Sequence, residues 1–271
     1  VISRNSNILY DTRVKRSTRY DENAQQITLL DSRYYKQSSG LYYPSITYVL
    51  SYFPKGKFFE SYLKDVGHNA DIILRKAGEE GSQVHNAIEN IIKGKPIDWL
   101  DQNYNAIYSL QVWSQIMRFA DFWETYKPEL VALEYYIHND DLRYAGTIDL
   151  VCRINGKLWI IDFKTSNAIQ ETYFLQLASY KKAWDMLHPD DVIQETGILW
   201  LKAATRGPDK TEKKMQGDGW QVKQSLRSFE EDYKLFTYCY EFWKIDNPKG
   251  EPAINIYPTR IHIPVSNGGL H

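Results

Sequence analysis

Cysteine is scarce: Cys152 and Cys239 are the only two in 271 residues. Two thiols cannot build the disulfide framework of a small secreted domain. They also exclude a cysteine-ligated zinc or iron–sulfur site within the chain. Long apolar runs are missing too, since no stretch reaches the roughly 18 residues that a membrane-spanning helix needs. No signal-peptide pattern opens the sequence, so the expected location is reducing and intracellular, in a bacterial or phage-infected cytoplasm or in a mitochondrion. Charge of one sign is lacking as well. The formal net charge is -1, whereas a protein that coats long duplexes carries a large positive surplus. There is no internal repeat and no low-complexity tract.

What the chain does have is aromatic and locally basic. It holds 21 Tyr and 8 Trp, and aromatic faces either stack on unpaired bases or fill cores. Residues 1–60 carry nine Lys/Arg against five Asp/Glu, and residues 201–214 carry five against two. Any nucleic-acid contact must therefore be local, and each patch reads equally as solvated surface. The hydrophobic share of 43% supports one large domain or two small ones.

The pattern along the chain switches once. The first forty residues are polar, with a short strand expected at Gln26–Leu30. Ser45 fits the N-cap of a short helix, and Pro54 the first turn of another. Residues 69–93 read as a long helix closed by Gly94, and residues 105–126 as a second one ended before Pro128. Strands follow at Leu130–Ile137, Tyr144–Ile154 and Lys157–Lys164, then a helix over 170–187 and a strand at Thr196–Lys202. Residues 203–219 read as an exposed loop, 224–245 as a helix and Ile254–Pro264 as a strand. This order predicts an α/β fold with a mixed central sheet flanked by helices. The expected division is a mostly helical N-terminal region over 1–128 and a strand-rich core over 129–271, packed as one unit.

Asn155-Gly156 between two strand runs is the strongest local signal, because a type I′ hairpin needs φ > 0 at both positions. A two-residue turn sets Ile154 opposite Lys157, Cys152 opposite Trp159 and Asp149 opposite Asp162. Directly opposed residues bring their Cβ atoms to about 4.5–5.5 Å. Alternation puts Ile148, Leu150, Cys152 and Ile154 on one face and Asp149 on the other, while Asp162 and Lys164 share a face. Two like charges facing each other destabilise a sheet. Either a divalent cation bridges them, or Lys164 neutralises one Asp at a solvated hairpin end.

Gly146-Thr147-Ile148-Asp149 followed by Ile160-Ile161-Asp162-Phe163-Lys164-Thr165 resembles the signature of the PD-(D/E)XK nuclease superfamily in its RecB-like exonuclease form. Gly81-Ser82-Gln83-Val84-His85-Asn86-Ala87-Ile88-Glu89 resembles the helical His motif that precedes that core, and Gln176-Leu177-Ala178-Ser179-Tyr180 resembles the Gln-x-x-x-Tyr motif that follows it. Tyr43-Pro44-Ser45-Ile46-Thr47 is similar to a Pro-Ser-(Val/Ile)-Thr segment of the mitochondrial genome maintenance exonuclease and related phage exonucleases. The likeness spans residues 41–201, and four short motifs in order are far more specific than any one of them.

The resemblance implies a restriction-endonuclease-like core and metal-dependent hydrolysis of DNA. The substrate it implies is single strands or DNA ends in replication, repair or recombination, with a structure-specific or restriction-like endonuclease, or an inactive nucleic-acid-binding relative, as alternatives. It implies one or two Mg²⁺ or Mn²⁺ ions held by Asp149, Asp162, the carbonyl of Phe163 and His85. Lys164 would position and help deprotonate the attacking water, Gln176 and Tyr180 would orient Lys164 or a phosphate, and Glu134 matches a less regular acidic position. Glu89, one turn from His85, either orients that imidazole or is a solvated helix charge. Candidate DNA contacts are Tyr42, Tyr43, Ser45, Thr47, Thr165, Ser166, Lys202 and Arg206. The N-terminal region is expected to wall or arch over the catalytic face.

Overall fold

The structure is a computed structural model that describes residues 9–10, 13–15, 19–21, 26–29, 32–54, 56, 70–206, 213–252, 256–258 and 261–262. Six strands come first: β1 (Leu9–Tyr10), β2 (Arg13–Lys15), β3 (Arg19–Asp21), β4 (Gln26–Leu29), β5 (Ser32–Lys36) and β6 (Tyr42–Pro44). Strands β3 to β6 make an antiparallel four-stranded sheet in sequence order. The N-terminal region is therefore strand-rich before it is helical, contrary to the expectation from its polar and irregular pattern. Runs of three to five residues are too short for a period of two to stand out.

Helix α1 (Ile46–Leu50) begins at Ser45, whose Oγ accepts from Tyr48 N as the cap expected of it. A helix starting at Pro54 would fall largely on residues outside the described set. Helix α2 (Ala70–Ile92) matches its expected span, and Gly94 closes it at φ 73° with its N–H donated to Ile91 O. Helix α3 (Leu110–Tyr126) starts five residues later than expected. Ser109 caps it by accepting from Val112 N, and Lys127 ends it at φ 45° ahead of Pro128. The rest comprises β7 (Glu129–Asn139), β8 (Tyr144–Ile154), β9 (Lys157–Lys164), α4 (Glu171–Leu187), β10 (Glu195–Trp200), β11 (Ala204–Arg206), β12 (Lys213–Met215), β13 (Gln221–Lys223), α5 (Phe229–Asp246), β14 (Ile256–Pro258) and β15 (Ile261–His262). The stretch expected as a loop over 203–219 thus contains the paired strands β11 and β12.

The central sheet is mixed and five-stranded, in the order β13-β10-β9-β8-β7. Only β9 and β10 run parallel, joined through α4. Asn155 and Gly156 take φ of 51° and 78°, and β8 pairs with β9 in the register the hairpin predicts, from Ile154 opposite Lys157 to Leu150 opposite Ile161. Two apolar layers flank the sheet. On one side α2 and α3 supply Val84, Ile88, Ile116, Phe119 and Phe122 to a core with Leu150, Cys152, Ile161 and Phe163. On the other, α1, α4 and α5 pack Val49, Leu177, Trp184, Phe236 and Trp243 against Val151, Leu158 and Ile160. A side chain as fully enclosed as Phe119 stabilises the fold by about 1.5–3 kcal/mol.

Face alternation along β8 holds from Leu150 to Ile154 but fails at Ile148, which joins the opposite layer from Leu150. Strand β7 is irregular beside it: its pairing with β8 shifts between Leu130 and Ala132, and Glu134 takes φ 48° inside the strand. A left-handed backbone at a non-glycine residue is strained, and here it sits next to the candidate site.

Candidate metal centre

The site lies at the end of the β8–β9 hairpin, between the two helical layers. Asp149 is 9% exposed and Asp162 only 1%. Oδ2 of Asp149 accepts the buried backbone N–H of Phe163 at 2.8 Å, tying the two strands together where the regular ladder ends. Oδ1 of Asp149 lies 3.7 Å from Nδ1 of His85 on α2. The His85 ring meets the edge of Phe163 with ring centres 5.7 Å apart, so packing and polar contact together fix the imidazole. Helix α2 approaches the end of β9 closely at Gly81, where a Cβ would come within 3.3 Å of Thr165 Oγ1.

Ligand atoms of His85, Glu134 and Asp149 all fall within 4.8 Å of one another. Glu134 reaches this cluster from its left-handed position in β7. Neighbouring protein, and then the charge of Asp149, raise its carboxyl from the usual range to about 7, an effect that solvent weakens because the side chain is exposed. Asp162 stands apart from this trio as the partner of Lys164, whose Nζ lies 2.5 Å from Oδ2. Burial raises the Asp162 carboxyl, opposed by Lys164 and reinforced by Asp149. That same Oδ2 is enclosed, and the Lys164 ammonium is the group that meets it. For Lys164 burial works against the charged form, but Asp162 and Asp149 outweigh it and the ammonium is held above its ordinary value. Of the two arrangements the sequence left open, a lysine that neutralises Asp162 is present; the group that could hold an ion is His85, Glu134 and Asp149, without Asp162.

Helix α4 closes the site from the other layer. Gln176 and Tyr180 are buried and joined by a 2.9 Å bond from Nε2 to the Tyr180 hydroxyl. Burial, then Asp162 and Asp149, push the Tyr180 phenol well above its ordinary range. Tyr180 lies against Gly146, the first residue of the Gly-Thr-Ile-Asp segment, where a Cβ would sit 2.7 Å from the ring. Only glycine permits that approach.

A cleft of about 1550 Å³ opens from this centre. It is walled by α2 from Ile73 to Glu89, by the start of α3, and by Phe163–Ala168 after β9. His85, Glu134, Lys164, Thr165 and Ser166 all line it. The other candidate DNA contacts are placed differently. Tyr43 is 5% exposed, packs with Tyr35 and Ala145, and donates its hydroxyl to Asp140, so it has no free face for stacking. Tyr42 is partly buried against the α4–α5 layer. Ser45 is buried in its capping role, while Thr47 is exposed on α1 and 3.1 Å from Ser45 Oγ. Lys202 is 5% exposed, with its backbone at φ 62° and its ammonium 3.4 Å from the carbonyl of Asp218. That burial corrects its expected place on the surface. The side chain of Arg206 lies outside the described residues. Glu89 pairs with Lys93 one turn on rather than with His85.

Two contributors were not visible as motifs. Gln115, fully buried on α3, donates to the carbonyls of Thr165 and Lys202, holding the loop after β9 to the end of β10. Arg118 binds the carbonyls of Leu201, Gln216 and Gly217. Their signal in the sequence was only a polar residue inside an amphipathic helix.

No family model and no curated protein sequence matches this chain. Among the described residues, no helix is long and apolar enough to cross a membrane.

Proposed function

We propose that this chain is a metal-dependent nuclease of the PD-(D/E)XK type, cleaving phosphodiester bonds in single-stranded DNA or at DNA ends. The observation that carries the reading is two carboxylates at one end of a hairpin, Asp149 beside His85 and Glu134 and Asp162 paired with Lys164, with His85, Glu134 and Lys164 lining an open cleft.

The residues suit Mg²⁺ or Mn²⁺, as one ion or two. Carboxylates and an imidazole are fitting donors, and His85, Glu134 and Asp149 bring such atoms within 4.8 Å of one another. His85, Glu134 and Asp149 would hold the ion, with Asp162 and the Phe163 carbonyl as additional donors. When bound, the ion supplies charge stabilisation on the phosphate oxygens and an acidified water.

The chain's own groups divide the remaining work. Lys164, held as an ammonium by Asp162, places a positive charge where the phosphate gains negative charge. While that pair is intact Lys164 has no free site for a proton, so its part is charge stabilisation and positioning rather than deprotonation of water. Tyr180 keeps its proton, and its bond with Gln176 fixes the wall behind Asp162 and Lys164. The phosphate backbone would run past Thr165 and Ser166 along the cleft.

Labelled linear and circular single strands, and the corresponding duplexes, incubated with Mg²⁺ and with Mn²⁺ test the proposal. The expected result is metal-dependent degradation of linear single strands with circles left intact. Cutting of circles would favour an endonuclease on the same chemistry, and no cleavage of any substrate would refute the reading.

A further inference from the structure

We propose that Tyr173 is a positioning residue that clamps the ammonium of Lys164 against Asp162, an inference that rests on the nuclease reading for its catalytic consequence. The sequence places Tyr173 in an apolar stripe of α4 with Leu177, Tyr180 and Trp184, where packing accounts for it. In the structure its ring lies over Lys164 Nζ, 4.8 Å from the ring centre. The same ammonium meets the Asp162 carboxylate at 2.5 Å. Lys164 is thus the one lysine among the described residues that meets both an aromatic face and a nearly fully buried carboxylate.

Two further observations single this contact out. Tyr173 and Lys164 both line the cleft, so the ring limits where the ammonium can swing on the side from which a substrate enters. A lysine stem has four rotatable bonds and is otherwise free to follow solvent. Tyr173 also stands three residues before Gln176 and seven before Tyr180, so all three lie on one face of α4. That face presents three successive side chains to the site: a ring on the ammonium, an amide, and the hydroxyl it bonds. The attraction between a cation and an aromatic face comes from the ring quadrupole and strengthens as water is excluded. It needs the ring and not the hydroxyl, which gives the clamp a signature that general packing lacks.

The test compares Tyr173→Phe and Tyr173→Leu in the whole chain. By NMR, a lysine Cε–Hε group beneath an aromatic face is shifted upfield. The Lys164 signal, assigned by its loss in Lys164→Arg, is expected upfield in wild type and in Tyr173→Phe, and at an ordinary position in Tyr173→Leu. For cleavage of single-stranded DNA, Tyr173→Phe should keep kcat within about twofold. Tyr173→Leu should lose roughly tenfold in kcat with KM little changed, the scale of one partly desolvated cation–π contact. An ordinary Lys164 signal in wild type would overturn the clamp, and so would equal loss of kcat in the Phe and Leu variants. A displaced signal with unchanged kcat in Tyr173→Leu would overturn its part in the reaction. Failure of the wild type to cleave any DNA would sink the nuclease reading while the NMR comparison still decides whether the clamp exists.

Discussion

The backbone N–H of Phe163 donates to Oδ2 of Asp149 across the hairpin at 2.8 Å, so the aspartate that faces His85 also replaces a missing rung of the ladder. Opposed carboxylates alone would suggest that removing Asp149 relieves repulsion and leaves the metal-free fold as stable or more so. The hydrogen bond reverses that expectation. Asp149→Ala strands a buried donor and should cost about 1–3 kcal/mol, whereas Asp149→Asn keeps an acceptor and should melt near wild type. Both should lose most of the stabilisation that Mn²⁺ gives the wild type. Chemical denaturation with and without Mn²⁺ checks this, and equal stability of the Ala and Asn variants would remove the structural half of the role.

Gly146 is expected to tolerate no side chain. The Cβ of Gly146→Ala would fall 2.7 Å from Tyr180 Cε1 and 3.1 Å from Ile46 Cδ1, both on buried residues with little room to retreat. Overpacking of this kind costs about 1–3 kcal/mol. It should also disturb the Gln176–Tyr180 bond and lower cleavage more than the stability loss explains. A thermal melt of Gly146→Ala that overlays wild type would show that Tyr180 is not held where the structure has it.

Stability of the metal-free protein should depend on pH through Glu134. Neighbouring protein and Asp149 raise its pKa from 4.5 to about 7, so the folded state binds the proton more tightly than the unfolded state does, by a margin that solvent screening reduces at this exposed residue. Its contribution is fully present below pH 4.5 and is lost as pH rises through 7. Between those values wild type should lose stability relative to Glu134→Gln, which carries no titrating group there. Melts across this range in the presence of a chelator provide the check; parallel curves for the two proteins would mean that Glu134 is not in the environment described.

Local chemistry made the hairpin legible, because Asn155-Gly156 can satisfy two positive φ angles that few other pairs can, and the register followed from that turn. Helix α2 was legible from its apolar spacing, and His85 came with it. Glu134 was harder to read. It takes a left-handed backbone within β7, and nothing in Leu133-Glu134-Tyr135 announces it. The face change at Ile148 escaped for the same reason, since alternation assumes an unbroken ladder. Tyr173 looked like packing because its ring does pack; that a lysine lies over its face depends on how α4 sits against the end of β9. Of the N-terminal sheet only β4 was legible, expected at Gln26–Leu30 and found at Gln26–Leu29; the other strands are short and their pairing is decided by partners rather than by the strand itself.

The central claim is that Asp162 and Lys164 serve metal-dependent cleavage of DNA, and the most direct measurement compares wild type, Asp162→Asn and Lys164→Met on end-labelled linear single-stranded DNA. Each protein is assayed with Mg²⁺, with Mn²⁺ and with a chelator, after far-UV circular dichroism has established that it is folded. The account predicts cleavage by wild type with a divalent cation only and a loss of roughly 10²-fold or more in each folded variant. It also predicts that Lys164→Met still gains stability from Mn²⁺ while Asp162→Asn gains less. Cleavage by wild type in chelator, or undiminished cleavage by folded Asp162→Asn, would contradict it.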